Sequence, residues 1–401
     1  MPWGSTPADA LEADNIEHQE IKNRIARQNI DRQPDVFIQV SVPNEFQKIG
    51  KYNIGITAGI ETTAVPHEFI QGANNMDLIV TTSEHSRKGF DVVYDKIDEN
   101  TRQKTGELKL EVPIEVLFEG ADLNVYKKTS EISEIVKDEL SSIKDDFCYL
   151  FVGHWLKGDF GQDRKDVAGM ISTVCEAFKR KSAKNRPGLV LKTSHAGFSI
   201  LDRDEMMQKI QSITAPYGDK APNIYLLHGD LTDDEMNSLY NHPKIKAMVS
   251  FTKGEGFGRP LLEFGLTGKP IIASNWSGHI DFLNKEYCTL LPGSLTDVHK
   301  SASDKFIVQG TQWFTVDYPY AANVLQDVMQ NYKQYLSKSR KQTQYVKDNF
   351  SLDHMAQKLI AIVDKGLADV PQQVSLKLPK LKKVDNEPPK LNLPKLKKVE
   401  A

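Results

Sequence analysis

The sequence predicts an α/β protein built from two Rossmann-like, parallel-sheet domains. Three observations carry that reading. Short β-rich runs alternate with helix-length polar segments in two successive blocks, the rhythm of parallel strands joined by crossover helices. A chain of 401 residues is too long for one ordinary core. Hydrophobic content of 39% with 26% charged residues belongs to a soluble globular protein. No apolar run approaches the ~20 residues of a spanning helix, so a membrane partner is not expected.

The first block covers residues 1–143. Its strands are "DVFIQVSVP" (35–43), "KYNIGITA" (51–58) and "MDLIVTTS" (76–83). Residues 1–9 read as loop, although a parallel domain ordinarily opens on a strand. The N-terminal "MPWGSTPADALEADN" has neither the basic nor the apolar region of a signal peptide. "SEISEIVKDELSSIKDD" (130–146) reads as a polar amphipathic helix approaching the domain boundary. The second block, 144–335, has strands at 147–153, 188–194, 223–229, 245–251 and 270–274. Its helices include 165–181 and 232–240, the latter opening on the capping-box pair Thr232 and Glu235. Residues 321–366 read as helical, with 336–368 forming a C-terminal helical segment. Beyond Pro371, "LPKLKKV" occurs at 378–384 and again at 393–399. The prolines prevent a continuous helix and two short copies cannot bury a core, so 369–401 is predicted to be a disordered tail.

Charge and thiol content narrow the partners. Residues 371–401 carry eight lysines against three acids, a net +5, whereas the whole chain is −3; the other 370 residues therefore sum to −8. Only the tail is biased toward polyanions. Cys148, Cys175 and Cys288 form no CxxC pair and read as reduced thiols of a cytoplasmic protein, with no metal centre expected.

In an open parallel sheet, ligands collect beyond the carboxyl ends of the strands. After 147–153 comes "GHWLKGDFGQDRKDV", with Arg164 and Lys165 where the next helix begins. The macrodipole disfavours cations there, so two of them are easier to explain if an anion shares the site. A diphosphate would satisfy both helix amides and side chains; solvated surface charge is the competing reading. Lys192 ends the next strand and either reaches the same cleft or snorkels at the sheet edge. Gly229 and Leu231 can offer backbone groups to a flat base. The fourth strand leads into "KGEGFGRPLLEFGLTGKP" (253–270). Gly254, Gly256 and Gly258 allow close backbone approach, Pro260 suits a first helical turn, and Gly268 with Pro270 ends it. Glu255 and Glu263 can each accept two hydrogen bonds, as vicinal sugar hydroxyls require.

"EGFGRPLLE" resembles the E-x7-E signature of retaining glycosyltransferases of the GT-B fold, the family-four (group 1) enzymes in particular. The similarity runs over 147 to about 365 and more weakly over 35–90. It implies two Rossmann-like domains facing across a cleft, with the last helix (351–365) crossing back to brace the first. It implies that Glu255 meets the donor sugar and Glu263 the ribose, and that Arg164, Lys165 and Lys192 neutralise the departing diphosphate. Lys253, Gly256, Phe257, Gly258, Gly229 and Leu231 would complete the donor site. No cofactor and no metal are implied; the nucleotide-sugar, UDP- or GDP-linked, is a substrate. On the acceptor side stand Glu61, where many relatives carry a histidine, then Thr62 and Thr63, with His67 further on. "MPWGST" resembles the glycine-bearing loop after the first strand of this fold, which would place Trp3 and Gly4 in the cleft. "GSTPADALEADN" is similar to glycosyltransferases of tailed phages, some of which decorate hydroxymethylated DNA; for such a protein the location would be the host cytoplasm. The lysine tail suits phosphates, but the body is acidic and the tail has no aromatic residue to stack on bases. A glycan or protein acceptor stays open, as do a sugar-nucleotide epimerase and a non-catalytic binding protein of the same architecture.

Overall fold

The computed structural model describes residues 11, 14–25, 32–98, 100–195 and 197–368. Trp3, Gly4 and the tail from 369 onward lie outside the described residues.

After α1 (Ile16–Arg24), the first sheet is laid down by β1 (Val36–Val40), β2 (Tyr52–Thr57), β3 (Leu78–Thr81) and β6 (Ile114–Val116), all parallel and in that spatial order. The crossovers carry α2 (His67–Ala73) and α3 (Glu84–Gly89). Between β3 and β6 stands an antiparallel hairpin, β4 (Tyr94–Ile97) and β5 (Lys104–Leu108), absent from the sequence reading. Its residues are mostly exposed, so no apolar alternation marks it.

The predicted helix over 130–146 contracts to α4 (Glu134–Glu139). Ser133 caps it by accepting from the Val136 N–H. Upstream amides go elsewhere: Thr129 N–H donates to Asn241 Oδ1 (3.1 Å) and Ser133 N–H to Ser238 Oγ (3.2 Å). Tertiary partners have outcompeted helix propagation.

The second sheet contains β7 (Cys148–Val152), β8 (Gly188–Lys192), β9 (Ile224–Leu227), β10 (Ile245–Ser250), β11 (Ile271–Ser274) and β12 (Thr289–Leu291). Its spatial order is β12-β11-β10-β7-β8-β9, so the chain starts in the middle, winds one way, then returns and winds the other. Helices α5 (Val167–Phe178), α6 (Ile200–Thr214), α7 (Asp233–Asn241) and α8 (Arg259–Gly265) cover both faces. Alternate residues therefore enter two cores. Tyr149, Phe151, Leu189, Leu191 and Val249 meet α5 and α6. Leu150, Val190, Met248 and Ala273 meet α7 and α8. The capping box at Thr232 and Glu235 is formed. A hairpin, β13 (Gly293–Asp297) with β14 (Gln312–Val316), follows.

The helical tract after it is three helices: α9 (Tyr318–Gln330), α10 (Tyr332–Asn349) and α11 (Leu352–Ala368). The second break falls at Ser351, which bridges to Ala121. From there α11 lies on the first sheet, where Ile362, with Met355, Leu359 and Val363, covers Ile54, Leu78 and Val80. No described helix is long and apolar enough to cross a membrane.

The two domains meet backbone to backbone. A Cβ on Gly254 would lie 1.8 Å from the Glu61 carbonyl oxygen, and one on Gly256 would lie 2.8 Å from Gly59 N. The Gly256 carbonyl accepts from Thr82 Oγ1 (3.2 Å) and Ser86 Oγ (3.3 Å). Thr63 N–H donates to the Gln312 carbonyl (2.9 Å), while its Oγ1 accepts from Gln312 N–H (3.0 Å). Gly254→Ala should push these loops apart at a cost of about 1–3 kcal/mol, read as a lower Tm and a larger radius of gyration in X-ray scattering. Gly265→Ala, whose nearest neighbour would be 3.6 Å away inside a helix, should leave the scattering unchanged.

Candidate active site

The reversal of strand order falls between β7 and β10, and the loops leaving their carboxyl ends meet there, the Lys253 N–H donating to the Arg164 carbonyl (2.7 Å). The β7 loop delivers Arg164 and Lys165; the β10 loop delivers Glu255. Lys165 Nζ bonds Glu255 Oε1 directly, and Arg164 Nη1 lies 3.3 Å from Glu255 Oε2. Arg164 Nη1 also donates to the Gly254 carbonyl (3.1 Å) and stands 3.8 Å from Glu61 Oε1 of the first domain. All four side chains are less than a fifth exposed. Arg164, Lys165, Glu255 and Glu61 thus share one cluster at the domain seam.

The local backbone explains how. Helix α5 begins at Val167, after Asp166 in the left-handed region (φ 51°). Arg164 and Lys165 therefore precede the helix instead of opening it. The anion that shares their site is supplied by the chain itself, as Glu255. Burial pushes the Glu255 carboxyl upward, but Lys165 and Arg164 outweigh it and hold it at about 2. Glu61 moves the other way: burial raises it, the Glu255 charge adds to the rise, and Arg164 opposes.

Beside the cluster lies a cavity of about 380 Å³, large enough for a nucleotide. Arg164, Lys165 and Lys192 line it with Phe198, Leu231 and Met236. Lys192 donates to the Gly229 carbonyl (2.5 Å) and sits 5.4 Å from the centre of the Phe198 ring.

Other expected donor residues are placed differently. Lys253 is turned into the second domain, 3.6 Å from Asp166 and donating to Thr315 Oγ1 at 2.8 Å. Phe257 packs on Phe282 in the core, with ring centres 4.9 Å apart. Gly256 lies in the seam, and Gly258 (φ 100°) caps α8. Glu263 is buried outside the cavity lining; it accepts from Tyr240 Oη (3.2 Å) and pairs with Arg259 (3.3 Å). Thr62 bonds the Ala64 carbonyl, and Thr63 docks onto Gln312.

Several residues beside the site went unread. His279, fully buried, bonds the Ser274 carbonyl through Nε2 (2.7 Å), and its Nδ1 has no partner among the described residues. His85 stands edge-on to Trp276 (4.5 Å), and burial, with His279 nearby, pushes it down to about 4. Asp202 is held by His195 Nδ1 (2.5 Å) and His228 Nε2 (2.7 Å). His195 and His228 stand just beyond strand ends, which was the available signal, but no motif spacing singled any of these residues out.

No family model matches the chain, and no curated protein sequence does. Solved structures do. Sucrose-phosphate synthase from Thermosynechococcus elongatus superposes with a TM-score of 0.55 at 13% identity, covering 83% of this chain and 74% of that one. A glycosyltransferase from Rickettsia africae gives 0.53 at 14%, covering 79% and 71%. Anabaena HepE, solved with UDP and glucose, gives 0.52 at 13%, covering 78% and 72%. The fold is GT-B. Within this GT-B frame, the charge cluster lies at the inter-domain seam, and the cavity beside it is lined by the second domain.

Because the Glu255 carboxyl sits at about 2 instead of its ordinary 4.5, its contribution to stability is complete above about pH 4.5 and is lost as pH falls toward 2. The difference is worth about 3 kcal/mol. Urea unfolding on either side of that window should show the wild type losing this much more than Glu255→Gln. Equal losses would mean that the carboxyl lies in water, not between the two cations.

Proposed function

We propose that this protein transfers a sugar from a nucleotide-sugar, UDP- or GDP-linked, to an acceptor hydroxyl with retention of configuration. The observation that carries the reading is the meeting of Arg164, Lys165 and Glu255 at the switch point, against a cavity of nucleotide size. A structural neighbour, Anabaena HepE, was solved with UDP-glucose, which supports a donor of this class.

The chemistry follows from the charges. The nucleotide occupies the cavity, and its diphosphate takes Arg164 and Lys165, aided by Lys192. Glu255 exchanges these cations for the hydroxyls of the donor sugar. As the anomeric C–O bond breaks, its electron pair goes to the diphosphate oxygen, where fixed cations stabilise the charge. The acceptor oxygen bonds the anomeric carbon from the same face and passes its proton to a phosphate oxygen. No separate protein base is needed. Glu61 faces this point from the acceptor domain, and Glu263 in this reading supports α8. Hydroxymethylated DNA is the acceptor to test first, given the +5 tail and the phage resemblance.

Incubation with UDP-, GDP- and ADP-sugars separates the alternatives. The proposal expects slow release of free nucleotide without acceptor and glycosylated product with it. An isomerised donor would mean an epimerase, and binding without turnover a binding protein. Glu255→Gln should lower turnover about 100-fold or more while retaining nucleotide binding by calorimetry. Near-normal turnover would remove Glu255 from the reaction.

A further inference from the structure

A second concavity, of about 420 Å³, opens at the other end of the second sheet, where β10 and β11 begin. Helix α10 walls it with Tyr332, Leu336, Arg340, Thr343 and Lys347. Their spacing of three and four places all five on one helix face. Opposite stand Lys246 at the start of β10, Lys269 just before β11, and Lys128 from the segment leading to α4. Five cations from four separate stretches thus surround one hollow, and its lining holds no aspartate or glutamate. Lys269 is fixed at the wall by donating to the Tyr240 (2.7 Å) and His242 (2.9 Å) carbonyls. Lys128, Lys246, Arg340 and Lys347 have no ion-pair partner among the described residues.

Such convergence is not what a solvated charged face produces. Exposed cations on a chain of net charge −3 ordinarily intersperse with acids, as Lys104 does with Asp95 and Glu107. Two buried groups register the local field. Burial first, then Lys246 and Lys128, push Lys269 down to about 7. Burial first, then Lys244, Lys269 and Lys246, push His242 down to about 4.

We propose that this hollow is a binding site for a compact polyphosphate, an organic di- or triphosphate, separate from the cleft. Several phosphate charges are needed to balance the four cations that lack an ion-pair partner, and the volume suits a small molecule. Arg340 can grip a phosphate with two parallel N–H donors, while the lysines act as point charges. A nucleic-acid backbone would instead call for a basic stripe across an open surface.

The test is calorimetric titration of the full chain with inorganic tripolyphosphate at physiological salt. The cations of the cleft, the hollow and the lysine tail can all bind this probe, so variants separate them. Arg340→Gln/Lys347→Gln alters exposed positions, and circular dichroism checks its fold. This pair should weaken one saturable site about tenfold or more and leave the other, while Lys165→Gln does the reverse. Wild-type binding in the α10 pair would overturn the proposal. So would a DNA duplex whose own binding to the Lys165→Gln protein is weakened by the α10 pair, since the surface would then serve nucleic acid.

Discussion

Arg164 and Lys165 on one side, with Glu255 and Glu61 on the other, are buried where the two domains touch, and much of the architecture answers to that fact. Buried charges are tolerated only when closely paired. Two cations leaving β7 can be matched at this depth by a carboxylate from the adjacent strand end, and the adjacent strand is β10. The middle-start winding of the sheet is what makes them neighbours although about ninety residues separate them in sequence. In the proposed reaction, the diphosphate enters a site whose cations are already held in place, displacing one internal anion instead of assembling the cluster afresh.

Gly254 and Gly256 serve this closeness in an unexpected way. Freedom from a side chain suggests room for a ligand, and that is how the sequence was read. In the structure it is the opposite domain that comes close: the Glu61 carbonyl and the Gly59 amide occupy the space that side chains would fill. The same glycine property supports both interpretations, because a linear motif does not say what approaches the backbone. Glu255 sits in the middle of this contact, its amide donating to Ser277 Oγ at 2.9 Å.

The second domain was legible because its strands are buried on both faces and read as short, nearly continuous apolar runs. The β4–β5 hairpin and strand β13 were not, since exposed strands carry mixed polar residues with no period to detect. Arg164, Lys165 and Glu255 stood out as charges placed at strand ends. Lys253 and Phe257 share that loop yet face inward, a direction set by Asp166 and Phe282, partners remote in sequence. His279, His85 and the cations around α10 were beyond reach for a related reason: each belongs to a grouping assembled from distant segments.

The placement of α11 bears on how the chain matures. Ile54, Leu78 and Val80 are among the earlier residues synthesised, yet the helix that covers them spans 352–368. On a ribosome the first sheet must emerge with one apolar face open and wait for roughly the length of the entire second domain before its cover arrives. That interval is a window in which a chaperone, or another nascent chain, can claim the uncovered face.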